Sequence, residues 1–292
     1  MSFTPIGFSG TPRSISECND YIDALQEYEC NAMRPAFSIL TQYIPGGRTW
    51  HEDYVWHLYD NWDGYLLLDV AHIYVYSSGH TPDEWSQIFY DHLDEVLPVI
   101  LGRVQPFNGL SRVGVELVNE YNIVSSGSND FYRVADRIAD YLRSHGITNH
   151  LNCNMPSQHN SIIRPDATLD SQGCHFYFNS WSVNGAMNIM NGALADGITV
   201  WNTEVGADSG ENPTTSTTAE LNQFLAQCHA KGIGNYVWLN YGVSTNLNRY
   251  KNTGLVMPSG GGPGPQPRGT LRIRAYRDGT EIQAPYVVHH VT

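Results

Sequence analysis

Two glutamates stand where carboxylates can do chemistry. Glu120 follows the run VELVN, and Glu204 follows TVWNT. Each closes a short apolar stretch and precedes a turn. Two carboxyl groups across a cleft can break an acetal. One, held protonated, gives its proton to the leaving oxygen; the other, held ionised, attacks the anomeric carbon or activates a water. A separation of about 5–5.5 Å gives retention of configuration, and roughly 6.5–9.5 Å gives inversion. A glutamate taken at random is usually a solvated surface acid, so it is the position at the end of an apolar run that singles these two out. Glu116, inside the same run as Glu120, is the control: it could point inward or outward from its strand and receives no role.

Other polar and aromatic residues end apolar runs in the same manner. They are Arg34 in NAMRPAF, His72 in the long run from Tyr65 to Tyr76, Asn119 beside Glu120, His175 and Tyr177 in HFY, and Trp238 in NYVWLN. Trp181 follows HFYFNS directly. Trp50, Trp56, Trp62 and Tyr121 are further aromatic faces on which a sugar ring could stack, although Trp56 lies in a helical stretch where core packing competes.

The elements that must position these residues alternate along the chain. Short apolar runs give way to amphipathic stretches from residue 1 to about 250, which predicts βα units and a parallel sheet. Eight strands are expected: near Ile6–Phe8, Ala32–Phe37, Tyr65–Tyr76, Val113–Leu117, His150–Cys153, Cys174–Phe178, Thr199–Thr203 and Tyr236–Leu239. Helices between them are marked by apolar positions at 3–4 spacing, such as Phe131, Val134, Ile138 and Tyr141, or Leu221, Phe224, Leu225 and Cys228. Thr81-Pro82-Asp83-Glu84 starts one helix as cap, N1 proline and first-turn acids. Gly146 and Gly232 end two others. No clear helix is expected after strand eight, because VSTNLNRYKN is short and polar. Eight βα units in this length predict a closed (β/α)8 barrel over residues 1–257, with the site at the C-terminal ends of its strands. Residues 258–269, PSGGGPGPQPRG, read as a Gly/Pro-rich linker. Residues 270–292 form two alternating runs around Asp278-Gly279, a β-hairpin signal and either a docked extension or the start of a truncated β-sandwich module.

The ordered set resembles the clan A glycoside hydrolases, above all the family 5 cellulases and mannanases. In that clan an Asn-Glu pair ends strand four, matching Asn119-Glu120, and a glutamate ends strand seven, matching Glu204. The family pattern adds Arg34 on strand two, His72 on strand three, His175-Phe176-Tyr177 on strand six and Trp238 on strand eight. The resemblance spans about residues 5 to 250. It implies Glu120 as acid/base with a raised pKa, Glu204 as nucleophile held ionised by Arg34 and Tyr177, Asn119 as donor to the sugar 2-hydroxyl, His175 as an orienting group and Trp238 as the floor of the −1 subsite. It implies a retaining endo-β-glycosidase acting on β-1,4-linked polysaccharide, with cellulose or β-glucan first and mannan second, and no cofactor. The different-class alternative is a non-catalytic carbohydrate-binding barrel within a larger assembly.

Composition narrows the partners. The formal net charge of −13 repels polyanions, which argues against nucleic acid and anionic membrane surfaces. The 12 histidines invite a metal, but no H-E-x-x-H or early H-x-H pattern supports one. Five cysteines, an odd number without C-x-x-C spacing, suggest mostly small buried side chains, with one or two disulfides still open. No G-x-G-x-x-G follows strand one, and no run reaches eighteen apolar residues. The opening MSFTPIGFSG lacks a secretory h-region; the expectation is an extracellular monomer whose signal is not in this chain.

Overall fold

The computed structural model describes residues 3–36, 50–70, 91–119, 129–156, 169–209, 212–239, 243–259, 275–277 and 280–282. Eight parallel strands close into a barrel in simple sequential order. They are β1 (Ile6–Gly10), β2 (Ala32–Pro35), β3 (Tyr65–Asp69), β4 (Val113–Asn119), β5 (His150–Pro156), β6 (Ser171–Tyr177), β7 (Trp201–Gly206) and β8 (Gly234–Leu239), and β8 pairs back onto β1. The (β/α)8 barrel is therefore the fold of this chain. Among the described residues the helices are α1 (Ile15–Glu27), α2 (Glu52–Asn61), α3 (Leu93–Val104), α4 (Asn129–Ser144), α5 (Val183–Ala195), α6 (Thr215–Ala230) and α7 (Val243–Thr253).

Helix ends follow local chemistry. Ser14 caps α1 by accepting from the Glu17 N–H, and Thr214 and Thr217 cap α6 reciprocally, which serves N–H groups that have no partner inside the helix. Gly146 and Gly232 leave α4 and α6 at φ of +78° and +74°, a left-handed turn that costs glycine nothing.

The strands alternate between two environments. Ile6, Phe8, Leu66, Leu68, Val115 and Phe176 point out and pack under the helices. Ala32, Leu67, Trp201 and Tyr236, with Tyr65 against them, form a separate apolar plug inside the barrel. Tyr65, His150 and Trp201 begin β3, β5 and β7, so this plug lies at the N-terminal mouth. His150 stacks on Trp201 with centroids 3.9 Å apart. A cavity of about 520 Å³ opens there, lined in part by Phe3, Tyr65, Arg112 and Trp201. That face belongs to stability rather than catalysis in such barrels.

Two expectations need correction, and the cysteine reading holds with its open disulfides closed off. A helix does follow strand eight: α7 buries Val243, Leu247 and Tyr250. Its apolar residues recur at i, i+4 and i+7, enough for one buried stripe despite the polar remainder. Trp50, Trp56 and Trp62 are core residues at 5–7% exposure, so their faces meet protein rather than sugar. All five cysteines are free and buried, and no disulfide forms. The C-terminal strands β9 (Ala275–Arg277) and β10 (Thr280–Ile282) pair antiparallel, as a hairpin requires. The proposed cap at Thr81–Glu84 lies outside the described residues.

Candidate active site

Above the apolar plug the barrel interior turns polar, and its centre is Arg34. This side chain is fully buried. It carries five N–H donors in a rigid planar fork and no acceptor, and these meet five acceptors on four other strands. Nε donates to Glu116 Oε2. Nη1 donates to Ser9 Oγ at 2.9 Å and Glu204 Oε1 at 2.7 Å. Nη2 donates to Asp69 Oδ2 at 3.2 Å and Asn119 Oδ1 at 2.5 Å. Burial works against the guanidinium charge, but Glu116, Asp69 and Glu204 outweigh it and raise the pKa above the ordinary arginine value. Arg34 therefore stays charged and fixed.

Glu204 lies near the end of β7 and is 4% exposed. Its second oxygen accepts from Tyr177 Oη at 2.7 Å. With Arg34 on one oxygen and Tyr177 on the other, both donors favour the ionised form. His175 Nδ1 stands 3.6 Å from the Tyr177-bound oxygen, too long for a hydrogen bond but close enough for strong electrostatics. Asn119 must turn its amide oxygen to Arg34, because arginine cannot accept. That orients its NH2 group as the donor available to a ligand.

Two register shifts make this cluster. In regular strands successive side chains alternate faces, so Glu116 and Asn119 should diverge, as should Thr203 and Glu204. The β4–β5 register shifts between Glu116 and Asn119, and the β7–β8 register shifts between Asn202 and Val205. Such irregularities re-aim side chains. As a result Glu116 and Asn119 both reach Arg34, and Thr203 and Glu204 both enter the barrel. Asparagines hold the shifted strands. Asn154 Oδ1 accepts from the Thr203 N–H at 3.1 Å, and Asn202 Oδ1 accepts from the Cys174 N–H at 3.0 Å. Gly173 leaves room for this: a Cβ there would stand 2.2 Å from the Trp201 carbonyl and 2.5 Å from Asn154 Oδ1.

Of the residues expected from sequence, the structure brings together Arg34, Asn119, His175, Tyr177 and Glu204. Trp238 shares the level of Ser9 in the β1–β8 register and is half-buried, and Ser9 points inward to Arg34. Trp181 is half-buried and packs edge-on against Phe176, centroids 5.4 Å apart. Glu120, His72 and Tyr121 lie outside the described residues; Glu120 is the next residue after Asn119 at the top of β4. Ser9, Asp69, Glu116 and Thr203 were not anticipated. Asp69 ends a strand and could have been found by the strand-end rule; the other three carry no sequence signal.

No protein-family model matches the chain, and no curated protein matches it. Solved structures do. A GH5 cellulase from an Icelandic hot spring isolate shares 20% identity over 81% of this chain and 74% of its own, with a TM-score of 0.60. A GH5-4 broad-specificity endoglucanase from an uncultured bacterium shares 12% over 84% and 89%, at 0.61. A β-mannanase from Streptomyces thermolilacinus, solved with mannohexaose, shares 14% over 82% and 78%, at 0.57. What the chain has in common with these structures is the closed (β/α)8 barrel.

Proposed function

We propose that the protein is a retaining glycoside hydrolase acting on β-1,4-linked polysaccharide, β-glucan before mannan, with Glu204 as nucleophile and Glu120 as acid/base. One observation carries this: a buried carboxylate at the C-terminal mouth of a barrel, clamped by Arg34 on one oxygen and Tyr177 on the other. A carboxylate so held is ionised and aimed, as a nucleophile must be. The likeness of the barrel to cellulases and a mannanase supports the substrate class.

In this reading Glu204 attacks the anomeric carbon while Glu120 protonates the departing oxygen. A glycosyl ester forms on Glu204. Glu120, now ionised, takes a proton from water, which attacks the same carbon and releases Glu204. Asn119 donates to the sugar 2-hydroxyl, and Trp238 supplies an apolar floor.

The test is separate replacement of Glu120 and Glu204 by glutamine, assayed on soluble β-glucan, mannan and xylan. Each change should lower turnover by at least about a thousandfold, in the range seen when members of a catalytic unit are removed. If neither lowers hydrolysis of any polymer cleaved by the wild type, the catalytic reading fails. Azide assigns the roles. Glu204→Ala should regain turnover and release a glycosyl azide of inverted configuration, and Glu120→Ala one of retained configuration; an inverted azide from Glu120→Ala with a retained one from Glu204→Ala reverses the two roles.

A further inference from the structure

The N-terminal mouth of the barrel carries more than a plug requires. Three rings meet there. Phe3 lies 5.1 Å from Tyr65 and 6.0 Å from Trp201 between centroids, and Tyr65 lies 5.7 Å from Trp201. All three line the cavity of about 520 Å³, together with His150. Protein interiors hold few voids larger than a water molecule, whereas ligand pockets span about 300–1,000 Å³. Phe3 is 46% exposed, so a large apolar face stays open to solvent at this mouth.

The same wall holds polar groups that the fold leaves with spare capacity. Arg112 Nη1 donates to the carbonyls of Trp62 at 2.7 Å and Gly64 at 3.1 Å, and Nη2 donates to the Tyr59 carbonyl at 2.9 Å. These bonds fix the guanidinium, and of its five N–H groups they leave Nε–H and one on Nη2 for a ligand. Asp63 and Ser111 stand exposed in the lining. A site whose polar groups are already held in place loses little on binding.

The charges select the ligand. Asp63 and Arg112 are the acid and the base among the described lining residues. Burial holds the His150 imidazole down to about 4, so at neutral pH it adds a ring and no charge. A cation gains from Asp63 and is repelled by Arg112; an anion meets the reverse. A neutral molecule rich in hydroxyls uses both, since a hydroxyl donates to a carboxylate and accepts from a guanidinium. A pyranose has such an edge, and its C–H face suits aromatic rings.

We propose that the N-terminal mouth is a second carbohydrate-binding site, which takes a mono- or disaccharide unit of a neutral glycan. It is separate from the catalytic mouth. Ala32, Leu67, Trp201 and Tyr236 fill the bore above it, and Trp201 precedes Glu204 by three residues on β7, about 10 Å at the rise of a strand. A glycan held here leaves the carboxylates at the other end free for a second chain. The site does not depend on which carboxylate is the nucleophile.

Cellobiose is the probe, titrated into the full chain and followed by the indole N–H NMR signal of Trp201, which is assigned by its loss in Trp201→Phe. In the wild type the signal should shift and saturate at millimolar cellobiose, and Glu204→Gln should leave that titration unchanged. Phe3→Ala should weaken binding about two- to tenfold, the worth of one ring contact. Asp63→Ala should weaken it about tenfold, the worth of one charged hydrogen bond. Both residues are exposed, and neither change should alter turnover of an aryl β-glycoside by more than about twofold. Benzoate and phenyltrimethylammonium, flat rings with a charge of either sign, should need higher concentrations than cellobiose. The proposal is overturned by the absence of a saturable shift, by a titration equal in wild type and either variant, by one lost in Glu204→Gln, by turnover falling in step with binding, or by tighter binding of either charged ring. If Phe3→Ala does not fold, Asp63→Ala decides by the same readouts. If the wild type cleaves no glycoside, the functional reading fails, and the Trp201 titration still decides the site.

Discussion

Replacing Arg34 with lysine tests the central claim that one side chain organises the site. Arginine places five N–H donors against Glu116, Ser9, Glu204, Asp69 and Asn119. An ammonium has three donors, so at least two acceptors lose their partner in a place that water does not reach. Hydrogen bonds to charged groups contribute about 1.5–3 kcal/mol each, so losing two costs about 3–6 kcal/mol. Breaking a buried ion pair costs about 3–5 kcal/mol by a separate route, and the two agree. Domain stabilities are about 5–15 kcal/mol, so Arg34→Lys should fold and be severely weakened. If Glu204 is among the acceptors that lose, kcat should fall about 10- to 150-fold, from one charged hydrogen bond at 1.4 kcal/mol per decade. Urea unfolding followed by tryptophan fluorescence reads the first quantity, and turnover of an aryl glycoside reads the second. Arg34→Met goes further, leaving three buried carboxyl groups without a cation. Their folded pKa values rise above the unfolded ones, so stability is present at low pH and lost as pH rises through the raised values. Arg34→Met should therefore be most stable in mild acid and should unfold above neutrality. A lysine variant within about 0.5 kcal/mol of wild type, or a methionine variant with a flat pH profile, would refute the claim that Arg34 balances this cluster.

Other outcomes follow from the same geometry. Glu116 is raised to about 7 by burial, so its contribution is present below about pH 4.3, the ordinary glutamate value, and is lost as pH rises through 7; against Glu116→Gln, the wild type should lose on the order of 3 kcal/mol over that window in pH-dependent urea melts. His150 carries the opposite sign. Burial lowers it to about 4, so its contribution is present above about 6.5 and lost as pH falls toward 4, and His150→Gln should remove on the order of 3 kcal/mol of acid sensitivity. These slopes partly cancel in the wild type, and each variant should uncover the other's slope. Gly173→Ala would drive a Cβ to 2.2 Å from the Trp201 carbonyl, a backbone atom that cannot step aside; a cost of about 2–3 kcal/mol is expected from thermal unfolding, and a variant as stable as wild type would contradict the packing between β6 and β7.

The residues legible in the sequence are those that end apolar runs, because a strand buried between barrel and helices is apolar until it reaches the mouth. Arg34, Asn119, His175, Tyr177 and Glu204 were found that way, and the structure gathers them within reach of one another. The strand-end rule fails where the alternation of faces fails. Glu116 was left open between inward and outward; at period two it and Asn119 would face opposite ways, and a register shift against β5 brings both inward. Thr203 and Glu204 enter the barrel together for the same reason, through the shift between Asn202 and Val205. A register shift depends on a partner strand far away in sequence, and the buried asparagines that fix it, Asn154 and Asn202, received no role from the sequence. Ser9 is small and near the chain start, and its importance comes only from the guanidinium it accepts. The helix after β8 was missed for a different cause: three apolar residues in eleven look polar on average, yet Val243, Leu247 and Tyr250 lie on one stripe. Tyr250 then accepts from the Ala207 N–H at 3.1 Å, one residue past β7, so this helix braces the strand that carries Glu204. Local spacing thus identifies which residues reach the mouth, whereas the contacts of Glu116 with Arg34 and Thr203 are set by non-local register, and it is there that the control residue Glu116 acquires its place in the site.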